Sequence, residues 1–456
     1  MSENNIILPT KTFPARLEAQ NQNWEARLTS PGLNLAIFLV PVLMCLQFSL
    51  VGSIYGGDLL LVGLFFGLLW RGRSFSSLKA PLPKRFLTLG FIWLFGQVVT
   101  DIVRHTSTDD SARGWARIVL TLLHFSVLFI LLHGRPRQVV IYGWGLVVGS
   151  VLTYFLHPFV FAAQYPWEFG WGFPVTLAVF LLTSGRTYRS LLLPLGLAAL
   201  NIYLGFRSMG AVCFLVSIYL FLRIAWLKSE TPRQVPLRAK QAVAALILVA
   251  FGAWGMASVY EKAASSGLLG DEAKYKYEFQ SSGEYGLLLA GRSEILLGLL
   301  AIYDSPVLGH GSWAKDPDYV AAYQQAMLLL GYDQSSFQRG QGTGIDSDEN
   351  DYLIVAHSHI LGAWVEAGIL GAFFFLWLLV LAFRFLKHLF TARIRLGPLV
   401  TFSAFWLIWN LCFEPYGGNK RFSVLYFAVV LISYMSLLSA RSTSPFTSAA
   451  ELSTAK

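Results

Sequence analysis

Apolar runs of about 20 residues, each long enough to cross roughly 30 Å of hydrocarbon, recur along almost the whole chain. Such a chain folds in lipid as α-helices, because backbone polar groups there must be satisfied within their own segment. The runs fall at 33–51, 53–70, 86–104, 115–132, 138–157, 171–184, 189–205, 209–226, 241–258, 357–383, 397–413 and 421–439, the second and sixth being short. About twelve transmembrane helices are therefore expected, with eleven to thirteen as the range. Only 13% of the 456 residues are charged, against about a quarter in soluble proteins, and the mean hydropathy is +0.54. The expected fold is an all-α polytopic membrane protein.

Charge placement orients it. Lys and Arg cluster in alternate connections: Arg71 to Arg85, Arg135 and Arg137, Arg186 and Arg189, Arg223 to Lys240, and Arg384 to Arg395. Short basic loops stay in the cytoplasm, which puts both termini inside and the segment 258–356 outside. That segment holds 14 acidic and 6 basic residues, so of the whole chain's +9 the remainder carries +17. This split argues against a nucleic-acid partner, and the 14 Trp fit interfacial belts. The chain divides into a cytoplasmic segment 1–32, helices 1–9 over 33–257, an outer loop 258–356, helices 10–12 over 357–439 and a cytoplasmic tail 440–456. No cleavable signal peptide is apparent, so the first run reads as a retained span. Cys45, Cys213 and Cys412 each lie in an apolar run and read as buried thiols, without a disulfide or metal framework.

A loop of about a hundred residues is too long for a plain connector. Leu287 to Tyr303 reads as an amphipathic helix, with Leu288, Ile295, Leu299 and Ile302 near helical spacing, ended by Asp304-Ser305-Pro306. Asp318 to Leu330 reads as a second short helix, and Gly331 to Asn350 as a mobile loop. Asp346 to Asp351 resembles the start of a calcium loop but lacks a Gly at the sixth position and an acid at the twelfth, which is His357. No metal site is expected.

Candidate site residues concentrate in and around this loop. Arg207, in a short outer turn, is either an anion-binding guanidinium or a snorkelling interfacial side chain. Arg292 offers a fixed fork suited to phosphate oxygens, and Glu294, two positions on, points to another side of the helix. His357 and His359 stand where the chain re-enters the bilayer; His357 is the better candidate base, while His359 shares a helical face with Glu366 and can simply bond to it. His310, between two glycines, is a loop contact or exposed. Asp58, Asp101, Arg104, Glu168, Glu414 and Arg421 lie near span ends as further candidates or as interfacial groups.

Gly291-Arg292, Ser305-Pro306-Val307-Leu308-Gly309-His310-Gly311, and His357-Ser358 followed by Glu366-Ala367-Gly368-Ile369-Leu370-Gly371 resemble the O-antigen ligase and Wzy-type polymerase superfamily. Phe206-Arg207-Ser208-Met209-Gly210 is similar to that family's upstream arginine motif. The likeness covers about Gly205 to Gly371 directly and the other spans only by topology. It implies a GT-C glycosyltransferase of the bacterial inner membrane, acting on the periplasmic face in O-antigen or exopolysaccharide assembly. The implied donor is a glycan on undecaprenyl pyrophosphate, and the acceptor is a sugar hydroxyl on a glycan or on lipid A-core. Other polysaccharide-assembly proteins are implied partners, and no cofactor is. Arg207 and Arg292 would hold the pyrophosphate, and His357 would orient or deprotonate the acceptor. His359, which has no required place in the family motif, His310 and Glu366 are further candidate substrate contacts. Direct attack without a metal would invert the anomeric carbon. Polymerase is slightly preferred over ligase. A transporter or flippase is the rival reading, disfavoured by the lack of an inverted repeat.

Overall fold

The computed structural model describes residues 31–50, 52–70, 75–158, 162–163, 165–183, 189–228, 255, 258–270, 274, 277–278, 281, 294–329, 352–391 and 396–443. In chain order the helices are α1 (Pro31–Val42), α2 (Gly56–Trp70), α3 (Pro81–Val103), α4 (Thr108–Leu132), α5 (Pro136–Leu156), α6 (Gly172–Thr183), α7 (Arg189–Tyr203) and α8 (Arg207–Lys228). They continue with α9 (Glu294–Asp304), α10 (Pro317–Leu329), α11 (His359–Thr391), α12 (Gly397–Phe413) and α13 (Lys420–Thr443). Six of them, α3, α4, α5, α8, α11 and α13, carry stretches long and apolar enough to cross a membrane, and shorter apolar helices accompany them. This is the architecture of an all-α membrane protein.

Local chemistry moves several boundaries away from the hydropathy reading. The first run does not stay helical to residue 51: after Cys45 the chain turns into an antiparallel hairpin, β1 (Gln47–Leu50) and β2 (Gly52–Tyr55), and α2 starts only at Gly56. Helix α3 begins at Pro81, ahead of 86, because proline suits the first helical turn. Helix α4 begins at Thr108 rather than 115, where Ser107 accepts from the Asp110 N–H at 3.1 Å and Asp109 and Asp110 complement the helix dipole. Helices α11 and α13 run on to Thr391 and Thr443, past the expected 383 and 439. The expected span at 241–258 apart from Gly255 and Ser258, the tails at 1–30 and 444–456, Leu287 to Ser293 and the loop 331–350 lie outside the described residues.

Helix α13 is central: Tyr426 through Ile432 are fully buried. Around it α3, α4 and α11 interlock through aromatic rings, with Phe86 stacked on Phe125 at 3.7 Å and Trp93 on Phe374 at 5.2 Å. Between α1 and α5 the packing is by small residues, as expected where lipid removes most of the hydrophobic drive for helix pairing. A Cβ on Gly145 or Gly149 would overlap the carbonyl oxygen of Phe38 or Pro41. Cys45 and Cys213 are buried as expected, whereas Cys412 is only partly so; all three are free thiols.

An ion pair ties the first part of the bundle to the last. Arg421, in the first turn of α13, meets Asp58, in the first turn of α2, and both side chains are 3% exposed. Asp58 also accepts from the Tyr55 N–H at 2.9 Å, and the guanidinium lies 5.6 Å from the Tyr55 ring centre.

Candidate functional site

Helix α11 is broken at Ala367–Gly368, where Gly368 adopts φ +61°. The break frees the carbonyls of Val365 and Glu366, and the loop 305–311 supplies their donors: the His310 N–H at 2.7 Å and the Gly311 N–H at 3.0 Å. In return the Ile369 N–H donates to the Val307 carbonyl at 3.2 Å. A Cβ on Gly368 would overlap that carbonyl, and one on Gly309 would lie 2.6 Å from the Gly368 nitrogen. The two glycine motifs of the sequence are thus two halves of one joint, each glycine required by the close approach of the other strand.

Two polar residues at the end of α3 clamp this joint. Arg104 donates to the Gly309 carbonyl at 2.9 Å and to Ser305 Oγ at 2.6 Å. Asp101 accepts from the Ser312 N–H at 2.6 Å, from Ser312 Oγ at 2.8 Å and from Trp115 Nε1 at 2.7 Å. Gly368→Ala should cost on the order of 2–4 kcal/mol through backbone overlap and strain. Gly134→Ala should cost only about 1 kcal/mol, since Gly134 also has positive φ but nothing among the described residues within reach of a Cβ. Thermal unfolding of the two variants in detergent checks the ordering; equal melting points would contradict it.

The outer helices then fasten to this frame. In α9 the buried residues are Leu297, Gly298, Ala301 and Ile302: of the expected stripe Ile302 is buried, Ile295 is half-buried, Leu299 is exposed and Leu288 lies outside the described residues. Small residues decide this, because a Cβ on Gly298 would come within 2.9 Å of Ala356 Cβ. Helix α10 starts at Pro317, one residue before the expected 318. Backbone bonds from Asp316 N–H to Tyr352 O and from Ile354 N–H to Ala314 O, both 2.9 Å, close the base of the segment.

Between these parts lies a cavity of about 350 Å3. Its lining combines Trp93 of α3, Arg117 of α4, Trp313, His359 and Glu366 of α11, and Tyr416 and Lys420 beyond α12. Arg117 and Glu366 form an ion pair across it, their side chains 15% and 16% exposed, and Lys420 pairs with Glu414. Tyr416 shares a hydrogen bond with Thr121 at 2.7 Å, and burial pushes its phenol up to about 12, so the hydroxyl is neutral. His359 is fully buried, edge-on to Phe375 and Tyr416, and its Nδ1 donates to the Glu414 carbonyl at 2.5 Å.

The expected site residues divide. His359 and Glu366 both line the cavity, but they do not bond to each other: each takes a partner on another element, Glu414 and Arg117. His357 stands just before α11 with Nδ1 3.7 Å from Glu294 Oε2, both side chains about one-third exposed, so Glu294 faces the histidine rather than nothing in particular. His310 is a loop contact, its Nε2 donating to the Ala301 carbonyl at 2.8 Å, and it holds α9 rather than lining the cavity. Arg207 opens α8 with its guanidinium 4.9 Å from the Tyr260 ring centre. Neither Arg207 nor His357 is among the described lining residues, and Arg292 lies outside the described residues. Asp58, Asp101, Arg104, Glu414 and Arg421 have partners within the protein. Among the described residues no group of three His, Cys, Asp or Glu side chains is placed to hold a metal ion.

Sequence reasoning missed Arg117. The signal was present: one arginine inside the apolar run 115–132, where an ionisable side chain marks a pathway or pocket by default. No protein-family model and no curated protein matches the chain.

Proposed function

We propose that the protein is a membrane glycosyltransferase that moves a glycan from undecaprenyl pyrophosphate to a sugar hydroxyl on the periplasmic face of a bacterial inner membrane, with twelve spans and an outer loop at 258–356. The observation that carries the reading is the pair His357–Glu294, 3.7 Å apart and open to solvent at the start of α11. An imidazole set beside a carboxylate has the arrangement of a base and its orienting partner. It belongs to the stretch that resembles the ligase and polymerase superfamily, immediately before a cavity with polar and aromatic walls.

In this mechanism Arg207 and Arg292 hold the donor's pyrophosphate and stabilise the charge it gains. The acceptor oxygen attacks the anomeric carbon while the bond from that carbon to the pyrophosphate oxygen breaks. The electron pair leaves with the lipid pyrophosphate, the hydroxyl proton passes to His357, and the anomeric configuration inverts. Polymerase activity, joining repeat units, is preferred over ligation to lipid A-core.

The test is transfer by the purified protein in lipid nanodiscs, supplied with an undecaprenyl-pyrophosphate-linked repeat unit from its own host. Longer glycans on the same lipid support a polymerase, and transfer only when lipid A-core is added supports a ligase. Consumption of neither donor nor acceptor, with movement of the lipid-linked unit across the bilayer instead, would replace the reading with a flippase.

A further inference from the structure

The cavity holds an unusual concentration of unspent hydrogen-bonding groups. Trp93 Nε1, Arg117 Nε, Trp313 Nε1 and His359 Nε2 are all buried without a hydrogen-bond partner among the described residues, and all four residues line it. Buried polar atoms left unpaired cost on the order of 1–3 kcal/mol each, so four around one space point to a ligand that satisfies them. Three are N–H donors. The fourth is an acceptor: the Glu414 carbonyl can only accept, so Nδ1 of His359 carries the proton and Nε2 of the neutral ring presents its lone pair.

Charge narrows the ligand. Each cation among the described lining residues already faces a carboxylate, Arg117 on Glu366 and Lys420 on Glu414. A diphosphate would have to displace one of them, whereas a neutral polyol would leave both pairs intact. Trp313 and Tyr416, both only partly buried, add aromatic surface for the C–H face of a sugar. Trp313, next to Ser312, which Asp101 anchors, takes a left-handed conformation, φ +54°. Such strain in a non-glycine residue persists where a site over-determines it. A volume of about 350 Å3 is at the small end of the roughly 300–1,000 Å3 usual for ligand sites.

We infer that this cavity binds one neutral pyranose ring, with Trp93, Arg117 and Trp313 donating to its oxygens and His359 Nε2 accepting from one hydroxyl. That the ring belongs to the acceptor rests on the transferase reading; that the cavity takes a neutral sugar does not. His359 thereby becomes a hydroxyl-positioning residue, separate from His357.

Saturation-transfer NMR on the full-length protein in nanodiscs tests this, with methyl glycosides of glucose, galactose, mannose, rhamnose and N-acetylglucosamine as probes and inorganic pyrophosphate as competitor. At least one glycoside should receive saturation from the wild type, and millimolar pyrophosphate should not displace it. Gly362→Leu should abolish the signal, because Gly362 lines the cavity and a Cβ there meets, among the described residues, only the Ala356 carbonyl at 3.7 Å, so the variant fills the space without removing a side chain. His359→Ala should weaken binding at least tenfold. Absence of signal from every glycoside, displacement by pyrophosphate, or a signal unchanged in a folded Gly362→Leu protein would each overturn the assignment. Glycoside binding without transferase activity would leave the sugar site standing and remove the acceptor role. Full transfer with unchanged KM in Gly362→Leu would leave the transferase reading standing and take the acceptor role away from this cavity.

Discussion

Arg421→Met should destabilise the protein by about 3–5 kcal/mol, because it strands the Asp58 carboxylate in a buried site with only the Tyr55 N–H as a described partner. The pair joins the starts of α2 and α13, so its loss loosens the central helix from the hairpin end of the bundle. Thermal unfolding in one detergent measures it. The double variant Asp58→Leu with Arg421→Met should recover most of the loss, since replacing both partners removes the uncompensated charge along with the pair. A single variant that melts like the wild type, or a double variant no better than the single, would show that the two groups are not coupled in this way.

His357→Ala should lower the rate of glycosyl transfer by about 10²- to 10⁴-fold, the usual contribution of a positioned base, with the melting temperature nearly unchanged because the side chain is one-third exposed. Glu294→Gln should give a smaller fall, in kcat rather than KM, since it keeps the contact and removes only the charge that orients the imidazole. Transfer kinetics with a lipid-linked repeat unit separate the two. Full activity in His357→Ala would remove it from the chemistry and leave His359 as the histidine nearest the cavity.

Much of the helical scaffold was legible because hydropathy reports burial in lipid directly: helices stand at the expected positions from Pro81 to Lys228 and from His359 to Thr443. The misplaced ends are those where short-range polar chemistry overrides hydropathy. Ser107 with Asp109 and Asp110 starts α4 seven residues early, and the turn after Cys45 gives a hairpin where the run of apolar residues suggested helix. The glycine motifs were visible as motifs but not as a joint, because nothing in one dimension says that the carbonyls of Val365 and Glu366, freed by the break at Ala367–Gly368, are met by the N–H groups of His310 and Gly311, 55 residues earlier in each case. His359 and Glu366 were correctly seen to share a helical face, yet spacing alone could not supply the competing partners, Glu414 and Arg117, that hold them apart. Arg117 is legible as an ionisable side chain inside an apolar run, but its partner Glu366, 249 positions away, is not.

Glycan profiling by gel in a deletion strain tests the transferase reading most directly, with wild type, Arg292→Ala and His357→Ala each restored and membrane abundance checked by blot. The account predicts that wild type restores long chains while both variants fail at normal abundance, with single repeat units accumulating on the lipid carrier if the protein is a polymerase and finished lipid-linked chains if it is a ligase. Long chains at wild-type levels in both variants would contradict it.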